Sequence, residues 1–210
     1  MPSPSEELAR PSRIRSARQL PFILGDQLDA DMPALEELDR ERDAVLMAEV
    51  REENELVPNH RQRSTLFLAA MRHFALDLIE KGYRVRYVRL DDRANTQSLG
   101  SELERAIGTL SPEKVRVVRP GDHRVRAMIQ KQADRAGVAL DVVEDTSFTC
   151  TLDDFDAWAS DGRKELVMEF FYRERRRALD VWVDENGKPR HGKWNFDEEN
   201  RKAFKQAPEV

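Results

Sequence analysis

An α/β fold built on a parallel sheet is what three features of this sequence predict. Short apolar or β-branched runs alternate with helical stretches along the first 145 residues. Most of those runs carry few outward polar positions, and glycines stand where the helices should stop. Strands covered by helices on both faces are apolar on both faces. Regular alternation of strand and helix argues for right-handed βαβ units. The expected architecture is a doubly wound, Rossmann-like five-stranded parallel sheet with helices on both faces, followed by a helical and irregular linker.

The strands are placed at 19–24 (QLPFIL), 44–50 (AVLMAEV), 84–90 (RVRYVRL), 114–118 (KVRVV) and 139–143 (ALDVV). The clearest helix covers 64–81, where Leu68, Met71, Ala75, Leu78 and Ile79 recur at helical spacing and Gly82 supplies the stop. A second covers 98–108 on Leu99, Leu103, Ala106 and Ile107, and a third covers 122–136, closed by Gly137. A weaker helical stretch lies at 33–39, with Asp31 as N-cap and Pro33 in the first turn.

After residue 145 the texture changes. TLDDFDAWA reads as a short helix capped by Thr151, and ELVMEFFYRERRRAL as another. A turn at Asn186-Gly187 follows, in a stretch without apolar period. Aromatics gather here: Phe170, Phe171, Tyr172, Trp182, Trp194 and Phe196. The chain is therefore divided into a mobile tail (1–16), an α/β domain (17–165) and a helix with linker (166–210).

Composition excludes several functions. At 210 residues the chain suits one domain, and 36% charged residues against 40% hydrophobic ones imply heavily charged helix faces. No apolar run approaches the ~20 residues of a membrane span, and the first sixteen residues lack a signal-peptide apolar centre. One cysteine, Cys150, cannot form an intrachain disulfide or by itself hold zinc or an iron–sulfur cluster. The cytoplasm is the natural compartment. The net charge of −5 repels nucleic acid, so any such contact must come from a local patch.

Standard catalytic devices are absent. There is no G-x-G-x-x-G, no Walker loop, no G-x-S-x-G elbow, and His60, His73, His123 and His191 show no metal-ligand spacing. Neither a catalytic nor a metal residue is assigned. The first positive signal is Gly25-Asp26-Gln27 at the exit of strand one. It is either a turn in which Asp26 bonds local backbone, or a polar pair offered to a polyhydroxylated or heteroaromatic ligand at the carboxyl edge of the sheet. The second signal, after strand two, brings Glu49, Glu52, Glu53 and Glu55, then His60, Arg61 and Arg63, to that same edge. This is either a solvated charged loop, the plain account for most of these residues, or a ligand edge, since carboxylates suit hydroxyls and ring N–H groups better than phosphate, which prefers amides and cations. Phe67 either walls a ring-shaped pocket or packs as ordinary core. Arg173, Arg175, Arg176 and Arg177 spread round a helix, as on a solvated or domain-facing helix; a phosphate patch is the minor alternative.

The blocks FILGDQL, EVREENELVPNHRQRSTLFLAAMRHFALDLIEKGYRVRYVRLDD, RPGDHRVR, LVMEFFYRERRR and GKWNFDEENR resemble, in order, the amino-terminal part of the bacterial photolyase-related proteins. These are the iron–sulfur (6-4) photolyases and cryptochromes. The resemblance implies an antenna domain that holds a light-harvesting chromophore, commonly 6,7-dimethyl-8-ribityllumazine. It implies that FAD, a 4Fe-4S cluster and damaged DNA belong to a separate helical FAD domain, the partner of this one. Carried onto matching positions, it assigns Gly25, Asp26, Gln27 and Glu53 to the chromophore pocket, with His60 and Phe67 at the following helix. A ribityl chain brings hydroxyls that cost roughly 1–3 kcal/mol each if buried unpaired, and Asp26, Gln27 and Glu53 can pair them. Leu56, where the family often has tyrosine, and Phe67, where it has a smaller aliphatic residue, depart from the pattern. The polypeptide as given is expected to be a fragment that harvests light without repairing DNA, its exposed aromatics after 166 meant to dock on the FAD domain. The alternative is a pigment-free α/β scaffold or interaction domain of the same family.

Overall fold

The computed structural model describes Leu8, residues 12–55 and residues 58–197. Leu56, most of the expected tail and the end of the linker from residue 198 lie outside those residues. The chain forms two compact units, Met1–Thr146 and Ser147–Val210.

The first unit is a mixed α/β structure whose strands pair in parallel. Its strands are β1 (Gln19–Pro21), β2 (Val45–Ala48), β3 (Val85–Val88), β4 (Lys114–Val118) and β5 (Ala139–Val143). Helices α1 (Glu52–Glu55), α2 (Arg61–Glu80), α3 (Leu99–Leu110) and α4 (His123–Ala136) alternate with them.

The expected five-stranded sheet is corrected to two sheets, one ordered β1-β4-β5 and the other β2-β3. Proline 21 gives the reason. Along the β1–β2 seam the Ala44 amide donates to the Gln19 carbonyl (3.1 Å) and the Ile23 amide to the Leu46 carbonyl (3.0 Å). A continuous parallel ladder needs the intervening residue 21 to donate to Ala44, and Pro21 has no N–H to give. What survives is a single bridge, Phe22 to Leu46.

Side-chain alternation sends the strands into two cores. Leu20, Phe22, Leu24 and Leu46 pack with Leu99, Leu103, Ala106 and Leu110 of α3 and Ile129 of α4. Ile23, Val45 and Met47 pack with Met71, Phe74, Ala75 and Leu78 of α2. Each fully buried Leu or Ile contributes roughly 1.5–3 kcal/mol. Leu8 joins the second core and Ile14 packs on the first.

Local signals set the boundaries. Helix α2 begins at Arg61, three residues before the apolar stripe implied, because the His60 ring caps it by accepting from the Gln62 amide at 3.2 Å. Gly137 closes α4 at φ 66°. The stretch at 33–39 makes only one 3-10 turn, Pro33–Leu35, with Met32 rather than Asp31 at its N-cap. Glu37 then turns left-handed (φ 58°) and stops it.

The buried Asp43 fastens the amino end of β1. It accepts from Arg18 at 3.0 and 2.7 Å, from the Gln19 amide at 3.0 Å and from the Asp39 amide at 2.8 Å. Burial pushes its carboxyl up, but these donors together outweigh that and hold it below the usual carboxylate value.

The second unit contains α5 (Leu152–Ala159) and α6 (Met168–Ala178). Thr151 and Asp154 form a reciprocal capping box on α5. Phe155, Trp158 and Phe171 cluster with ring centroids 5.0–5.8 Å apart. The arginines of α6 are tethers. Arg173 pairs with Glu169 at 2.9 Å, Arg175 lies 3.5 Å from Asp154, and Arg177 donates to the Gly187 carbonyl at 3.1 Å. Arg176, 4% exposed, donates to the carbonyls of Val181, Trp182 and Trp194 and lies over the Trp194 ring at 5.0 Å. Phe170, Tyr172, Trp182 and Phe196 remain exposed. Among the described residues no helix is long and apolar enough to cross a membrane.

Candidate functional site

A cavity of about 250 Å³ opens where β1, β2 and β4 end. Carboxyl ends of parallel strands point their last residues at a common edge, so the loops that follow converge there. Leu24, Gly25 and Asp26 come from the exit of β1; Ala48, Glu49 and Val50 from β2; Pro120, Gly121 and Asp122 from β4. Glu53 of α1 and Arg63, Ser64, Phe67 and Met71 of α2 complete the lining, with Asn59.

Gly25, Asp26, Glu53 and Phe67 are thus brought together. Gln27 and His60 are not on that wall. The Gln27 side chain turns toward β4, its Nε2 donating to the carbonyls of Val118 (3.2 Å) and Arg119 (3.4 Å). Its Oε1 is buried and matched by no donor. His60 is exposed and spent on capping α2.

Gly25 has a steric reason to lack a side chain. A Cβ there would stand 2.5 Å from Cε1 of Phe67 and 2.9 Å from Sδ of Met71. The Phe67 ring therefore rests against bare backbone, with 39% of the residue exposed. The turn reading is also realised, since the Gln27 amide donates to the Leu24 carbonyl at 3.1 Å.

The four glutamates expected at this edge divide by role. Glu49, 1% exposed, is consumed internally. It accepts from Arg72 at 2.6 and 2.8 Å, from the Tyr87 hydroxyl at 2.6 Å and from the Leu90 amide at 2.8 Å. Burial and then the bond to Glu49 drive the Tyr87 hydroxyl pKa up, and the same carboxylate raises that of Arg72. Glu52 accepts from the Leu99 amide at 3.1 Å and so anchors the start of α3. Glu55 lies 3.7 Å from Arg51 on an exposed surface. Glu53 alone is left to the cavity, with no hydrogen bond or ion pair among the described residues.

The field at Glu53 is that of a carboxylate cluster. Partial burial pushes its carboxyl above the usual value, followed by repulsion from Glu52; Asp26 and Asp122 add to this and Arg124 opposes it. Asp122 caps α4, accepting from the Arg124 amide at 2.8 Å and pairing with the Arg124 guanidinium. Those bonds, the side-chain one first, lower its pKa. Arg63 lines the cavity and makes no ion pair among the described residues.

Arg63 was expected at this edge, whereas Asp122, Ser64 and Asn59 were not read from the sequence as site residues. One signal was available for Asp122: Gly121-Asp122 repeats at the exit of β4 the Gly25-Asp26 pair at the exit of β1. Among the described residues no group of His, Cys, Asp and Glu is arranged to hold a metal ion. The wall thus offers acceptors at Asp26 and Glu53, a donor at Arg63, a hydroxyl at Ser64 and an aromatic ring at Phe67. It has no glycine-rich phosphate cradle.

The profile of the deoxyribodipyrimidine photo-lyase-related protein family matches residues 21–210. A (6-4) photolyase of Agrobacterium fabrum (strain C58) is 42% identical over 184 residues, which are 87% of this chain and 36% of that relative. The chain spans about a third of the relative's length. With a match across nearly all of its described residues, this chain belongs to the deoxyribodipyrimidine photo-lyase-related protein family.

Proposed function

We propose that the cavity at the ends of β1, β2 and β4 binds a light-harvesting chromophore of the ribityllumazine type, 6,7-dimethyl-8-ribityllumazine. The observation that carries this reading is the convergence of Asp26, Glu53, Arg63 and Ser64 beside the Phe67 ring on one cavity of about 250 Å³. Ligand pockets are commonly ~300–1,000 Å³, so this one is small, and Phe67 is the exposed side chain whose rotation enlarges it. Acceptors of this kind pair hydroxyls, and the ring offers a stacking face to a heteroaromatic system. The unmatched Oε1 of Gln27 is one further acceptor close to the same strand exits.

Bound there, the chromophore would supply absorption of light and transfer of excitation. The chain's own residues only bind and orient. Asp26 and Glu53 accept from hydroxyls, Arg63 donates to a carbonyl or ring nitrogen, and Phe67 with Leu24 and Met71 excludes water. In the complete protein the recipient is FAD in a helical domain that also carries the 4Fe-4S cluster and meets damaged DNA. Repair of a (6-4) photoproduct or blue-light sensing is then an activity of the whole and not of this segment. A cytoplasmic setting fits that role.

Titrating the purified chain with 6,7-dimethyl-8-ribityllumazine and following fluorescence anisotropy tests the reading. Saturable binding is expected, weakened about tenfold in Glu53→Ala, the equivalent of one lost hydrogen bond of ~1.4 kcal/mol. Equal affinity in a folded Glu53→Ala variant removes Glu53 from the site. The placement of Phe67 against Gly25 favours a second reading, a pigment-free scaffold. That reading holds if the native chain ignores lumazine while Phe67→Ala takes it up.

A further inference from the structure

Far from that cavity in the chain, Arg86 poses a separate problem. It lies on β3 opposite Leu46, on the face from which Val88 enters the core with α3. The residue is 9% exposed, and its guanidinium makes no hydrogen bond or ion pair among the described residues. An arginine presents five N–H donors, and one held mostly out of water with no protein partner is costly. The neighbouring Glu102 does not supply a partner. Its Oε1 accepts from the Thr96 amide (2.7 Å) and hydroxyl (2.8 Å), and its Oε2 is held by Arg105.

Beside Arg86 lies a cleft of about 500 Å³ whose charged lining is Arg15, Arg86, Arg89 and Arg105 against Asp91 and Asp92. Both aspartates are already engaged. Asp91 pairs with Arg89 at 2.8 Å, and Asp92 accepts from the Ala94 amide at 2.9 Å. Four arginines against two aspartates leave the lining formally cationic in a chain whose net charge is −5, although Arg105 shares its charge with Glu102. Neighbouring positive charge is felt at Arg86 itself, where burial first, and then Arg105, lower the guanidinium pKa.

We propose that this cleft is an anion site of the phosphate class, with the guanidinium of the largely buried Arg86 as the fork that faces it and Arg15 and Arg105 at its rim. A leucine or methionine would fill the same place on β3 without the desolvation cost. What an arginine adds is a planar, bidentate donor set that matches a phosphate oxygen pair. The chemistry is shared by a free phosphate or polyphosphate and by the phosphodiester backbone of nucleic acid. The site is distinct from the chromophore cavity and does not depend on it.

The test is calorimetric titration of the 210-residue chain with pyrophosphate at constant ionic strength, beside anisotropy titration of a short labelled single-stranded oligonucleotide. Saturable binding is expected, at least about tenfold weaker in Arg86→Gln and about threefold weaker in Arg15→Gln. Arg15 is exposed, so that variant decides the matter if Arg86→Gln fails to fold. Arginine-dependent pyrophosphate binding assigns the free anion. Arginine-dependent oligonucleotide binding without pyrophosphate binding assigns the backbone. Absence of both, or binding that ignores Arg86 and Arg15, overturns the proposal.

Discussion

Placing a methyl group on Gly25 probes the wall of the candidate pocket directly. In Gly25→Ala the new Cβ would stand 2.5 Å from Cε1 and 2.9 Å from Cζ of Phe67, well inside van der Waals contact. Overpacking of this kind costs about 1–3 kcal/mol. Phe67 is 39% exposed, so its ring can swing outward by giving up part of its buried area. That places the expected cost near 2 kcal/mol. The Sδ of Met71, at 2.9 Å, also touches the new methyl but belongs to an adaptable side chain. In a Phe67→Ala background the same glycine substitution should therefore cost less than about 0.5 kcal/mol, giving a coupling near 1.5 kcal/mol. Urea unfolding of the four members of the cycle, fitted with a common m-value, measures it. Equal destabilisation by Gly25→Ala in both backgrounds refutes the reasoning, because the glycine would then be needed for its backbone and not for the ring.

Four further outcomes are expected. Glu49→Ala strands the Tyr87 hydroxyl, the Leu90 amide and the partly exposed Arg72, and should destabilise the first unit by about 3–5 kcal/mol in urea unfolding; a loss under about 1 kcal/mol would contradict the network. Asp43 has a depressed folded-state pKa, so its contribution is present above the unfolded value of ~3.9 and is lost as pH falls through the folded one. Asp43→Asn should flatten the stability–pH curve on its acid side, whereas the raised carboxyl of Glu53 costs stability as pH rises, a decline that Glu53→Gln removes. Arg176→Lys keeps the charge but loses the fork that reaches three carbonyls. It should release the 181–194 segment, read as a change in tryptophan emission and faster proteolysis there; unchanged emission and cleavage would show that charge alone suffices.

How far the sequence carried depended on how local each signal was. Strand and helix alternation needs only neighbouring residues, and β4, β5, the Thr151 cap and the Gly137 stop lie where the pattern put them. The division of the sheet does not, because it turns on which edge of β1 carries the missing N–H of Pro21, and only the pairing of β1 with β2 reveals that edge. The same holds at the site. Gly-Asp at a strand exit and a glutamate-rich loop were legible, but four glutamates within seven residues look alike as letters. Long-range partners alone decide that Glu49 is buried under Arg72 and Tyr87, that Glu52 anchors α3, and that Glu53 faces the cavity.

By itself, then, the order of residues determined the α/β class, the meeting of Gly25, Asp26 and Glu53 at one edge of the strands, and the family. Tertiary structure decided which side chains line the cavity there, taking Gln27 and His60 for bracing and capping and adding Asp122 to the wall. It also decided that Arg86 lies buried beside a cationic cleft. The physical reason is the same throughout: backbone preference and apolar period act within a few residues, whereas the occupancy of a polar group is fixed by partners that only the folded chain brings near.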